Sequence, residues 1–220
     1  MANQFFLDPD NLIIRGKPPA VQLPVPKAIQ NLRAIPDAEA LRAGDLILVS
    51  SIVGDNNRTA AAIRNSQSTA GYNSMDTRWH HAAVYLGFDF RICEATRKGV
   101  GTASLLDYAA AHLIRVRRDP GLDEETGWKI SVLAACQIGT PYSFLSILNL
   151  AGRAKKGYWH PWQHSAHVGR GLICSELYSD CYAAASGRTL WNNIAKEVTP
   201  AYLSVTGQLS DIDLCWRPLC

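Results

Sequence analysis

The chain has 220 residues, 47% of them hydrophobic and 19% charged, which is enough for one domain with its own core and unlike the composition of a disordered chain. A formal net charge of +3 excludes the concentrated positive charge of a nucleic-acid binder and implies no anionic partner. No stretch approaches the roughly 18 uninterrupted apolar residues of an integral membrane segment, so a membrane-spanning function is not expected.

Residues 1–40 hold Pro9, Pro18, Pro19, Pro24, Pro26 and Pro36, which block regular ladders and predict an extended arm laid on the domain. The arm begins with "MANQFFLDPDNLIIRG", which lacks the basic n-region and apolar h-region of a classical export signal. The compact part, residues 41–220, opens with the turn Gly44-Asp45 and the apolar run Leu46 to Val49, read as a buried strand. "NNRTAAAIRNSQS" predicts a helix capped by Asn56 or Asn57. "WHHAAVYLGFDFRICEAT" reads as two strands joined around Gly87-Phe88-Asp89, "TASLLDYAAAH" as a short helix and "HLIRVRRD" as a strand. "DEETGWKISVLAACQIG" predicts a helix with acidic residues in its first turn, followed by the loop "GTPYS". A further helix is expected from Cys174 to the stop at Gly187, and another in "VTPAYLSV" with Thr199 as cap and Pro200 at its first position. "DIDLCWRPL" closes the chain as a strand, and the order as a whole predicts an α+β domain with a mostly antiparallel sheet.

Six cysteines, at 93, 136, 174, 181, 215 and 220, lack the dense regular spacing of a small disulfide scaffold. Reduced thiols and a cytoplasmic location are expected, with export lacking a classical signal peptide as the alternative. Cys174 is singled out because "LICSELYSDCY" places it at the first position of an amphipathic helix. There the unpaired N–H groups and the positive end of the helix dipole favour a thiolate. Cysteine is equally a residue type that is buried for packing alone. A nucleophile needs a base, and His81 opens the strand "HAAVYLG" with room beside its alanines. If the hairpin loop is the two residues Gly87-Phe88, Glu94 lies directly across from His81 and can orient the imidazole. A three-residue loop would turn Glu94 to the opposite face, so both registers stand at this point.

"GDLILVS", "HHAAVYLG", "CEAT", "GTPY", "LICSELYSDCY" and "VTPAYL", in that order, resemble the circularly permuted branch of the NlpC/P60 papain-like superfamily. That branch contains the YiiX-like proteins and is similar to lecithin:retinol acyltransferase. The resemblance spans roughly residues 40–215 and implies a papain-like α+β fold in which the histidine strand precedes the cysteine helix. It implies Cys174 as nucleophile, His81 as base and Glu94 as the third polar residue, with Tyr142, His80 and Ser175 expected at the substrate. The family usually shows Ser-His followed by Val-Gly, whereas this chain has His80-His81-Ala82-Ala83. Alignment on "VYLG" favours His81 over His80 as the base. The implied chemistry is acyl transfer through a thioester, with no cofactor, on a peptide or amide bond or on a lipid acyl group.

Two other readings compete. His160, His164 and His167, at spacings of four and three, could join Cys174 as zinc ligands if their segment is helical; a loop shaping a substrate groove fits the same residues. "RAKKGYWHPW" mixes basic and aromatic residues, the pattern of a nucleic-acid or anionic-lipid surface, and reads better as an exposed loop anchored by its aromatics. The fold could also serve as a non-catalytic binding module with an inert Cys174. The sequence does not specify an oligomeric state.

Overall fold

The computed structural model describes residues 32, 34–51, 58–109, 112–142, 173–190 and 198–218. The proline-rich segment to residue 31, the proposed caps Asn56 and Asn57, "RAKKGYWHPW" and the three histidines 160, 164 and 167 lie outside them.

Strand β2 (Leu46–Ser51) lies at the middle of a six-stranded antiparallel sheet, between β3 (His81–Tyr85) and β6 (His112–Arg118). Its apolar run does not alternate with polar residues because both faces are covered. Leu46 and Leu48 enter one core cluster with Ala82 and Val84, while Ile47 and Val49 enter a second with Ala83 and Tyr85. Strands β4 (Arg91–Thr96) and β5 (Gly99–Ser104) extend the sheet on one side, and the short β7 (Ser210–Asp211) on the other, giving the order β5-β4-β3-β2-β6-β7. A separate pair is formed by β1 (Ala34–Pro36) and β8 (Trp216–Pro218). All these pairings are antiparallel, and the described chain is an α+β structure.

Helices α1 (Arg58–Thr69), α2 (Ser74–Thr77) and α3 (Leu106–Ala109) connect the strands. Helices α4 (Glu124–Cys136) and α5 (Cys174–Ser186) cover the first face through Ile130, Ala134, Leu177, Tyr178 and Cys181. Asp123 caps α4 by accepting from the Thr126 N–H, and, as expected from its sequence, Gly187 ends α5 at a left-handed φ of 67°. In the same way Thr199 caps α6 (Pro200–Val205), with its first-turn proline. The turn before β2 presses directly on α4. A Cβ on Gly44, which has φ +82°, would sit 2.5 Å from the Gly127 carbonyl, and one on Gly127 would sit 2.5 Å from the Ala43 carbonyl.

Three expectations are corrected. Between β3 and β4 the loop is neither two nor three residues long: Ala83 pairs with Glu94, Val84 with Cys93 and Tyr85 with Ile92. Leu86 then donates to the Arg91 carbonyl at 2.8 Å, which leaves residues 87–90 as a four-residue loop. Gly87, Asp89 and Phe90 all have positive φ there, so the bend runs one residue further on each side than a tight turn. Thr102 to Ser104 end β5 instead of starting a helix, because the edge of β4 recruits Gly99–Ser104 into pairing; the glycines at 99 and 101 hid a strand that has little intrinsic preference. The closing segment makes two short strands, β7 and β8, separated at residues 212–215.

Polar groups bind the layers at the far edge of the sheet. Arg115 grips Asp211 through Nε and Nη2 at 2.7 and 2.9 Å, and its Nη1 donates to the Ser204 hydroxyl at 2.6 Å, which in turn donates to Asp76 at 2.7 Å. Arg117 lies 3.3 Å from Asp211 and donates to the Leu203 carbonyl at 2.6 Å. Among the described residues no helix is long and apolar enough to cross a membrane. Cys93, Cys136, Cys174, Cys181 and Cys215 are free thiols.

Candidate active site

Register decides which side chains meet. The pairing of Ala83 with Glu94 shifts the hairpin by two residues from the expected partnership of His81 with Glu94. A shift of one would have sent Glu94 to the other face; a shift of two keeps it on the face of His81 as a diagonal neighbour. The carboxylate closes the diagonal, with Glu94 Oε2 2.7 Å from His81 Nε2. The expected partnership therefore forms through a different pairing.

The same oxygen serves a third residue. The Tyr108 hydroxyl on α3 donates to Glu94 Oε2 at 2.7 Å, and its ring stands 6.0 Å from His81 and edge-on to His112 at 5.1 Å. Sequence reasoning missed Tyr108. It lies 14 residues beyond Glu94 and reaches it only because β5 folds back along β4 before α3 begins, so the unrecognised strand concealed it. The available signal was one polar-tipped aromatic in an alanine-rich stretch, "DYAAAH".

Cys174 is the first residue of α5 and is 2% exposed. Its cap residue Ile173 offers no side-chain acceptor, so the first-turn N–H groups are not consumed by the usual Ser, Thr or Asp oxygen. Glu176 reaches back to accept from the Ile173 N–H at 3.1 Å, which fixes the entry into the helix. His81 is the first residue of β3, and it lines one cavity with Cys174. Burial of the imidazole disfavours its charged form; hydrogen bonds to Cys174 and Glu94, together with their charges, outweigh burial and push His81 up to about 10. Glu94 shifts the other way: burial opposes its charge, but the His81 hydrogen bond and charge and the Tyr108 hydroxyl hold it below its ordinary value. Two opposed shifts within one pair are the pattern of a retained carboxylate and imidazolium.

A cavity of about 650 Å³ opens on these groups and is lined by His81, Glu94, Tyr108 and Cys174 together with His80 and Tyr142. His80 accepts from the Ser51 N–H at 3.2 Å and lies 3.0 Å from its hydroxyl, so it is anchored to β2 while His81 faces Glu94. Tyr142 is half-buried against the first core cluster and the Ile63–Ile173 pair. Its hydroxyl pKa is raised, first by burial and then by Cys174, with Arg97 opposing. Ser175 is placed differently: it is fully buried, and its hydroxyl donates to the Val198 carbonyl at 2.8 Å, fastening the start of α5 to the segment before α6. Burial pushes the other core thiols up, Cys93 to about 11 and Cys181 to about 12.

No family model matches the chain, and no curated protein matches it. Among solved structures, its fold is similar to that of metalloprotein yiiX from Escherichia coli, with a TM-score of 0.52 at 18% identity. The match covers 80% of this chain and 98% of that one. At this identity the likeness is one of fold.

Proposed function

We propose that the protein is a cysteine hydrolase or acyltransferase of the permuted NlpC/P60 papain-like kind, acting on an amide or peptide bond through a thioester on Cys174. The observation that carries this reading is the 2.7 Å contact of Glu94 with His81, which lines the same cavity as Cys174 at the first residue of a helix. With Nε2 held by Glu94, Nδ1 is the ring nitrogen left for the sulfur. In the proposed mechanism Cys174 Sγ attacks the substrate carbonyl, and first-turn N–H groups of α5 stabilise the oxyanion. The His81 imidazolium gives its proton to the leaving amine, which departs as the carbonyl re-forms in the thioester. His81, now neutral, takes a proton from water or another acceptor, whose oxygen or nitrogen displaces the sulfur.

The solved neighbour is titled a metalloprotein. Among the described residues there is no group of three or more His, Cys, Asp or Glu side chains placed to hold an ion, and His81 and Glu94 are bonded to each other. These residues do not fit a metal centre, and no step above is routed through one.

The test is iodoacetamide alkylation of the native protein, read by peptide mass spectrometry. Cys174 is expected to react faster than the exposed Cys136 and Cys215 although it is itself buried, and His81→Ala is expected to remove that advantage. Equal rates at Cys174 in the two proteins would defeat the proposal.

A further inference from the structure

β5 is the outer strand of the six-stranded sheet, and its free side borders the cavity. In an antiparallel ladder, residues along a strand alternately turn both backbone groups toward the partner and away from it. Val100 turns away from β4: its N–H donates to the Thr140 carbonyl at 2.8 Å, and its carbonyl accepts from the Gly139 N–H at 2.9 Å. Thr102 and Ser104, two and four residues on, therefore also turn their backbone groups outward. The Ser104 N–H ends on the Asp107 carboxylate at 3.3 Å. Among the described residues nothing is bonded to the backbone of exposed Thr102, an open rung in the same cavity wall as His81, Glu94 and Cys174. Beside it, Gly101 stands opposite Glu94, and a Cβ built there would meet nothing within 4 Å. Among the described residues, the wall next to the open rung is thus bare of side chain.

We infer that the outer edge of β5 at Thr102 is a main-chain docking rung for an extended peptide segment of the substrate. The Thr102 N–H donates to a substrate carbonyl, and the Thr102 carbonyl accepts a substrate N–H, in the manner of an added strand. This subsite rests on the acyl-transfer reading of the same cavity. A hydrocarbon chain carries nothing to fill such a rung, whereas a peptide fills both halves with one residue. Gly101 leaves room for that residue's neighbours to pass between the rung and the Glu94 side of the cleft. Strands about 4.8 Å apart put the docked chain roughly 14 Å from the backbone of β3, about four extended residues.

The probe is an acetylated hexa-alanyl chloromethyl ketone, long enough to reach the rung while Cys174 Sγ is alkylated by its chloromethyl carbon with loss of chloride. It is compared with a dodecyl chloromethyl ketone and with iodoacetamide on the full chain. The peptide reagent is expected to outpace the dodecyl one, relative to iodoacetamide. N-methylation of the single amide that meets Thr102 should slow it roughly 3- to 10-fold, the effect of one hydrogen bond, and methylation elsewhere should not. Gly101→Val, which favours the strand but fills the bare wall, should lower the ratio of peptide to iodoacetamide rates, as should Thr102→Pro. If Thr102→Pro fails to fold, the methylation series on the unaltered protein decides. Indifference to methylation at every amide, or a dodecyl reagent as fast as the peptide, overturns the docking rung while leaving the nucleophile intact. So does a dimer that pairs through this edge and is lost in Thr102→Pro. Failure of iodoacetamide to select Cys174 instead removes the acyl-transfer reading, and the rung with it.

Discussion

Glu94 Oε2 is shared by two donors of different kinds, an imidazole that can give up its proton and a phenol that keeps it. Tyr108→Phe removes the second and leaves the first. The variant is expected to be less stable by about 2 kcal/mol at pH 7, the value of a hydrogen bond to a charged acceptor. Glu94 is depressed below its ordinary 4.5, so its stabilising contribution is present above pH 4.5 and is lost as pH falls through the folded value. The gap between wild type and Tyr108→Phe should therefore narrow in acid; a gap that stays constant to pH 3 would mark Tyr108 as packing only. His81 works in the opposite sense: raised from 6.5 to about 10, its contribution is complete below 6.5 and is lost as pH rises toward 10. Unfolding free energy should then decline across that alkaline range in wild type and far less in His81→Ala. At this scale the sequence was informative wherever a side chain's neighbours were local. Cys174 at a helix start and His81 at a strand start were legible from periodicity, while His81 was preferred to His80 on alignment with "VYLG". Tyr108 was hidden, and Ser175 reads as a substrate contact only until its hydroxyl is seen to be bound to Val198.

At the scale of elements, a glycine inside a helix ordinarily weakens it by about 1 kcal/mol relative to alanine. Gly127 in α4 should behave in reverse, because the added methyl would lie 2.5 Å from the Ala43 carbonyl, on backbone that cannot swing aside. Gly127→Ala is expected to destabilise by about 1–3 kcal/mol as an overpacking substitution, measured by urea unfolding. An increase in stability would show that the approach of turn and helix relaxes freely. Elements were legible where an apolar run or helical period met a turn, cap or stop residue, as at Gly44-Asp45 before β2, Gly187 after α5 and Thr199 before α6. They were not legible where pairing was imposed from outside. β5 is built on "GVGTAS", with two glycines and no alternation of large apolar residues, and exists because β4 offers it an edge. The hairpin register turned on positive φ at Asp89 and Phe90, and residue type does not announce such a conformation at a phenylalanine.

For the whole molecule, Asp211 closes the far side of the sheet by holding Arg115 and Arg117 from a strand of only two residues. Asp211→Asn leaves two buried guanidinium groups without their anion and should cost about 3–5 kcal/mol, more than any surface ion pair. A loss under about 1 kcal/mol would mean that the carbonyls of Leu203 and Ser204 already suffice for the two arginines. This closure joins residues 96 apart, a distance over which sequence pattern carries no information. The chain order of the candidate site sets a schedule as well. His81 and Glu94 form within one hairpin, but 93 residues separate His81 from Cys174. At about 5–20 residues per second, the ribosome delivers the nucleophile roughly 5–20 s after the base. The nascent chain thus carries the base and its carboxylate without the thiol for that interval, and Cys174 follows the five strands β2 to β6 while β7 is still to come.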